Sequence, residues 1–175
     1  MKLGYVAIKL HPRFGNFSYS EVALDLIITA ASQHGLTTLL CTYCWSDCRA
    51  AQANNTEALM GLLSRLGGTR IILLHGGGVK LLEFVEIARA FPNVLLDLSY
   101  VLCKFSGSSI DLDLEYAFSK FDRRICVGSD SPEIEPRQLR ESFTRFSYGL
   151  SREKAENIAF KNIFNFLPLV ASLDA

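Results

Sequence analysis

Arg-Ile-Cys-Val-Gly-Ser-Asp-Ser-Pro, residues 124–132, is the stretch on which the fold turns. An apolar run stops at the carboxylate of Asp130, and Gly128-Ser129 before it and Pro132 after it turn the backbone. The same arrangement occurs twice upstream. Ile71-Ile72-Leu73-Leu74 ends in His75 and three glycines, and Tyr5-Val6-Ala7-Ile8 ends in Lys9-Leu10-His11-Pro12. Titratable or metal-competent side chains thus stand where buried strands stop. In parallel α/β proteins that edge is where ligands bind.

Working outward, apolar runs and helical periodicity alternate along the whole chain. Strands are predicted over 4–10, 36–41, 70–75, 94–99 and 124–129. Helices are predicted over 20–34, 56–66, 80–91, 112–121, 136–146 and 152–166. Ser18 or Ser20 caps the first helix, Gly35 stops it, and Val22, Leu24, Ile27, Ile28 and Ala31 form its apolar face. His34, beside that Gly35, is expected as a C-terminal cap. Leu59, Leu62, Leu63 and Leu66 stripe the second helix, and Ser151 caps the last. Strands spaced by helices mean β/α units in a parallel sheet. Right-handed crossovers then bring every strand's C-terminal end to one side, so Lys9, His11, Cys41, His75, Asp97, Ser99 and Asp130 are expected at one edge.

The 175 residues suffice for one domain, read here as 1–175, with no linker or low-complexity tract. The chain is 49% hydrophobic and 21% charged, with 18 basic and 18 acidic residues. That balance attracts neither nucleic acid nor an anionic membrane. No run of 18 apolar residues reads as a membrane span. His11-Pro12-Arg13 interrupts the N-terminus too early for a secretory core, so a cytoplasmic location is expected. The odd count of five cysteines argues for reduced thiols. Cys41, Cys44 and Cys48 form a C-x2-C-x3-C cluster without a fourth ligand at a knuckle spacing, so small residues near a strand end is the plainer account.

Imidazole and carboxylate at His75 and Asp130 suit zinc or a similar divalent ion, and a carboxylate beside bound water can take its proton. Lys9 can hold a substrate carboxylate or, if carbamylated, bridge metals, and His11 follows it on the same side of the strand. Gly76-Gly77-Gly78 would let a ligand approach the backbone, with a helix N-terminus behind it for an anion. Each residue also has a plainer reading. A lone strand-end His is more often a satisfied polar residue than a ligand. Asp130 also suits a turn cap, Lys9 a snorkelling side chain and Asp97 a loop tether. The recurrence at successive strand ends favours the site.

In these residues the chain resembles the amidohydrolase-related metal-dependent hydrolases. The resemblance rests on Ile8-Lys9-Leu10-His11-Pro12, on Leu73-Leu74-His75-Gly76-Gly77, on 94–99, on Val127 to Pro132, and on the closing helix 151–166 with Asn162 within it. It implies a partial TIM (β/α)8 barrel, five parallel β/α units corresponding to strands 4–8. It implies His75 and Asp130 as metal ligands and catalytic groups, Asp130 as general base, and Lys9, His11, Asp97 and Ser99 at the substrate. Where the family pattern has a strand 5 histidine this chain has Cys41, whose thiolate can also ligate zinc. The family's strand 1 His-x-His is absent, since the histidines are His11, His34 and His75.

The resemblance therefore implies a hydrolase using a divalent metal, zinc in the first place, whose bound hydroxide attacks a C–N or C–O bond of a small molecule. Nonoxidative decarboxylation is the alternative within the family. A catalytically inactive half-barrel that binds or oligomerises is the alternative outside it. Five strands cannot close an eight-stranded barrel. The missing part, roughly 70–100 residues of a barrel of about 250, is expected upstream of Met1 or on another chain. A homodimer or a complementing N-terminal half would then meet the exposed edge strands. An open flavodoxin-like sheet is a further architecture that five parallel strands suit.

Overall fold

The computed structural model describes residues 4–43 and 54–168. Cys44, Cys48 and most of the loop between the second strand and the next helix lie outside these. Five strands, β1 (Ala7–Leu10), β2 (Thr37–Cys41), β3 (Ile71–Leu74), β4 (Val94–Asp97) and β5 (Ile125–Cys126), form one sheet in the order β1-β2-β3-β4-β5. Every pairing is parallel. The helices are α1 (Pro12–Gly15), α2 (Val22–Gln33), α3 (Thr56–Arg65), α4 (Leu81–Ala90), α5 (Val101–Lys104), α6 (Ile110–Lys120), α7 (Pro136–Ser147), α8 (Arg152–Glu156) and α9 (Asn162–Phe166). A π-helical turn, Asn157–Lys161, joins α8 to α9.

The strand order decides the architecture. A flavodoxin-like sheet reverses direction at a switch point. Here each crossover adds its strand beside the last, always in the same direction, which is the winding of a (β/α)8 barrel. The flavodoxin-like reading is thereby overturned, and the chain is five consecutive units of a TIM-type barrel.

Side chains alternate across the sheet as strand period requires. Leu40, Ile71, Leu73, Val94, Leu96 and Ile125 join the main core against the helices. Leu39, Ile72, Leu74, Leu95 and Cys126 form a smaller cluster on the second face. Ile163, Phe166 and Leu167 from the closing helix pack onto that second cluster. Asn162 fixes the helix there by donating from Nδ2 to the carbonyls of Asp122 at 2.6 Å and Ile125 at 2.7 Å.

Local signals set most element ends. Asn55 caps α3 by accepting from the amide of Ala58 at 2.8 Å, and Ser151 caps α8 from Lys154. Gly35, at φ +72°, ends α2 after a His34 C-cap. Three expectations need correction. Neither Ser18 nor Ser20 caps α2: Glu21 holds that position, its carboxylate turned back to accept from the amide of Ser18 at 2.8 Å. Only Leu24, Ile28 and Ala31 of the expected α2 stripe are buried, while Val22 is 71% exposed. The glycine run is a tight turn, His75–Lys80, whose glycines are buried against the core and do not line a ligand site. A Cβ on Gly77 would lie 2.0 Å from the Phe84 ring, and one on Gly76 would crowd Leu98 and Leu81.

Candidate active site

Register places the candidate residues. Lys9 pairs with Leu39, Leu39 with Ile72, and Ile72 with Leu95, so Lys9 lies on the second face at the strands' C-terminal end. Asp97 shares that face two residues beyond Leu95. Alternation alone would send His75 to the helix face with Ile71 and Leu73. A left-handed φ of 66° at His75 ends the strand and turns the ring toward Asp130 instead. Of the four non-glycine residues with positive φ among the described residues, three are His75, Tyr100 (φ 66°) and Asp130 (φ 54°). Each such residue costs on the order of 1–3 kcal/mol. Their concentration at one spot marks a place where side-chain position outweighs backbone comfort.

These residues enclose a cavity of about 580 Å³. Lys9, His11, His75 and Asp130 all line it. Lys9 Nζ lies 3.3 Å from Asp130 Oδ1, and His75 Nε2 lies 4.0 Å from Asp130 Oδ2. Burial holds the His75 pKa below its ordinary value, against the opposing pull of Asp130. The ring is therefore neutral near pH 7, and its approach to Asp130 is not an ion pair.

The His75 tautomer follows from its partners. Nδ1 lies 3.2 Å from the Ser99 carbonyl oxygen, which only accepts, so Nδ1 carries the proton and donates. The Ser99 hydroxyl is also 3.2 Å from Nδ1. Nε2 is then a bare lone pair facing a carboxylate oxygen. Two acceptors so placed call for a cation, or a proton donor such as water, between them. An imidazole anchored through one nitrogen to a carbonyl, with the other nitrogen open, is the usual disposition of a metal-ligating histidine.

Ser99 and Asp97 sit behind His75 and are not among the residues lining the cavity. The Asp97 carboxylate accepts from the Ser99 amide and fixes the loop that holds the imidazole. Burial pushes the Asp97 carboxyl above the usual range. The Cys126 thiol is pushed well up by burial and by the charge of Asp97.

Cys41 is buried at the end of β2 and does not line the cavity; its carbonyl accepts from the Tyr19 hydroxyl at 3.1 Å. Among the described residues no three His, Cys, Asp or Glu side chains converge as a metal site. His75 and Asp130 fit a divalent ion in donor chemistry and not in number, supplying two of the four positions zinc takes. The described residues do not hold such an ion by themselves. His11 stacks on Phe14 with centroids 4.1 Å apart, and burial, with Arg13 and Lys9 nearby, lowers its pKa to about 4. It is a neutral ring at physiological pH.

Sequence reasoning missed Arg13, Phe14, Tyr43, Tyr100, Lys104 and Glu133, which also line the cavity. Arg13 and Phe14 ride on α1, and Lys104 on α5, with Tyr100 at its start. Pro12 at the first turn of α1 was the available signal for that helix.

A larger recess of about 750 Å³ lies at the other end of the strands. Its cations are already committed. Arg124 donates to the carbonyls of Ala88, Phe91 and Val94, Arg70 to that of Phe166, and Arg123 pairs with Glu153. That end is a structural seam.

Comparisons with known proteins agree with this fold. The family model described as amidohydrolase matches residues 1–168. Among solved structures, an uncharacterised TIM-barrel protein, Bb4693 from Bordetella bronchiseptica, superposes with a TM-score of 0.69 at 14% identity. The match covers 86% of this chain and 52% of that one. A candidate amidohydrolase from Staphylococcus aureus gives a TM-score of 0.60 at 17% identity, over 96% of this chain and 66% of that one. The chain thus spans about half the length of the first and just under two thirds of the second. No curated protein matches. Among the described residues no helix is long and apolar enough to cross a membrane. Family match and strand winding converge: this chain belongs to the amidohydrolase family.

Proposed function

We propose that this chain carries one half of a hydrolytic site, acting on a C–N or C–O bond of a small molecule. The observation that carries the reading is the gap of 4.0 Å between the unprotonated His75 Nε2 and Asp130 Oδ2. A water held there donates one hydrogen to Asp130 while its oxygen adds to the substrate carbonyl. Asp130 keeps that proton and returns it to the departing amine or alcohol, so the bond to the leaving group breaks as water's O–H is spent. Ser99 and Asp97 hold the imidazole in register. Lys9 orients Asp130 through the contact at 3.3 Å.

A divalent metal, zinc in the first instance, would polarise the carbonyl and acidify the water when bound. Its remaining ligands would come from outside the described residues. Exposed Tyr5, Val22 and Leu26, on and around the first β/α unit, are surface that three further β/α units would cover. The two-ligand set equally favours the second reading, a half-barrel that binds without turnover.

The test is hydrolysis of 4-nitrophenyl acetate by the chain with zinc in the buffer. Asp130→Asn should lower kcat/KM by roughly 100-fold or more, the scale of a lost general base. A rate that Asp130→Asn leaves unchanged defeats the hydrolytic reading, and no rate above buffer leaves the binding reading for this chain by itself.

A further inference from the structure

We propose that Thr42 is the positioning residue for His75: its hydroxyl clamps the turn on either side of the imidazole and holds Nδ1 against Ser99, so that Nε2 stays open toward Asp130. This rests on the reading of His75 as the group facing the reacting water, and it names the residue that aims it.

The clamp begins where β2 and β3 stop. Cys41 pairs with Leu74 at the last step of the register. One residue on, the Thr42 amide donates to the Leu74 carbonyl at 3.2 Å, and the Thr42 hydroxyl donates to the same oxygen at 2.6 Å. The Gly77 amide donates in turn to Thr42 Oγ1 at 3.1 Å. The residue before His75 and the second residue after it are thus tied to one side chain. A hydroxyl donates and accepts at once, and a methyl of the same size does neither. Thr42 is 1% exposed and Gly77 is buried, so loss of the hydroxyl strands the Gly77 amide away from solvent.

The backbone between these two ties is the kind that needs holding. His75 has φ 66°, and Gly76 and Gly77 follow at φ 49° and 74°. A residue other than glycine stays in that region only where its surroundings over-determine it. The ring's own contacts are too long to do so: Nδ1 lies 3.2 Å from the Ser99 carbonyl oxygen, and Nε2 lies 4.0 Å from Asp130 Oδ2. The bond from Thr42 to Leu74 is much the shorter, so the turn aims the ring. Thr42 does not line the cavity, and its effect passes through His75. Thr38 supplies a matched contrast. It lies on the same strand and is also 1% exposed, yet its hydroxyl has no partner among the described residues.

The experiment reads the His75 ring tautomer by long-range proton–nitrogen correlation NMR on the full chain at neutral pH, with His75→Gln to assign the signals. The unaltered chain should show the Nδ1–H form, the one its Ser99 contact requires. Thr42→Val should lower the ratio of Nδ1–H to Nε2–H by about fivefold or more, the scale of one lost hydrogen bond. Thr42→Ser keeps the hydroxyl and should restore the original ratio, and Thr38→Val should leave it unmoved. An Nε2–H ring in the unaltered chain overturns the proposal. So does an unmoved ring in Thr42→Val, even with a lower urea midpoint, since packing alone would then be the role of Thr42. A ring altered equally in Thr42→Ser overturns it too. If Thr42→Val does not fold, hydrogen exchange at the Gly77 amide decides: slowed exchange in the unaltered and Thr42→Ser chains supports the clamp, and the rate of an open loop in either overturns it. A shifted ring in a chain that hydrolyses no ester supports the clamp and leaves the binding reading for this chain by itself. An unmoved ring alongside hydrolysis sensitive to Asp130→Asn overturns the clamp alone.

Discussion

Replacing Gly77 by alanine separates backbone conformation from steric room. Gly77 has φ +74°, and an alanine there occupies the left-handed region at a cost of about 1–2 kcal/mol. Its Cβ would stand 2.0, 2.3 and 2.6 Å from three atoms of the Phe84 ring. Carbon atoms rest about 3.5–4.0 Å apart, so the ring must retreat by roughly 1.5 Å or more. Phe84 is 4% exposed and packed in the main core, so the retreat overpacks its neighbours at about 1–3 kcal/mol. Together Gly77→Ala should destabilise by about 2–5 kcal/mol. Gly35→Ala supplies the reference: φ is +72° with nothing within 4 Å, so only the conformational part, about 1–2 kcal/mol, applies. Gly61→Ala, inside α3 with only Arg65 Nη1 at 3.5 Å, should stabilise by about 0.5–1 kcal/mol. Urea unfolding followed by circular dichroism gives all three from midpoints and slopes. If Gly77→Ala loses no more than Gly35→Ala, the glycine turn is not wedged against Phe84 and the account of the run as a packing device fails.

Three other outcomes follow from the same structure. Because burial lowers the His11 pKa from 6.5 to about 4, the unfolded chain takes up a proton in that interval that the folded chain refuses. Stability should therefore be full above about pH 6.5 and fall as pH drops toward about 4; His11→Phe should flatten that slope in urea midpoints measured across the range. Asn55→Ala removes the cap of α3 and should cost about 0.5–2 kcal/mol in the same assay. The Cys126 thiol, buried and pushed up, should resist iodoacetamide in the folded protein and react on unfolding, as peptide mapping by mass spectrometry would show.

The fold was legible where the chain's local chemistry is strong. Runs such as Ile71–Leu74 and Val94–Asp97 are apolar on both faces because helices bury one side of the sheet and the closing helix part of the other. Glycines and Pro92-Asn93 punctuate them. Strand order was not legible from the residues alone, since nothing in a single run says beside which neighbour it will lie. At the site, the strand-end residues Lys9, His11, His75 and Asp130 could be read as one edge. The six residues on the cavity's other side could not. Four-residue helices such as α1 and α5 are too short to show a period, and they carry Arg13, Phe14 and Lys104. His75 shows the converse: its side depends on a backbone angle that alternation does not anticipate.

The closing helix has a consequence for synthesis. Each strand pairs with the one before it, so β1 to β4 can zip together in the order they leave the ribosome. The patch of Ile72, Leu74, Leu95 and Cys126 is different, because Ile163 and Phe166 that cover it are made only after all five strands. A nascent chain of this protein therefore carries a bare greasy surface until the closing helix has emerged, and that interval is when a chaperone would have something to hold.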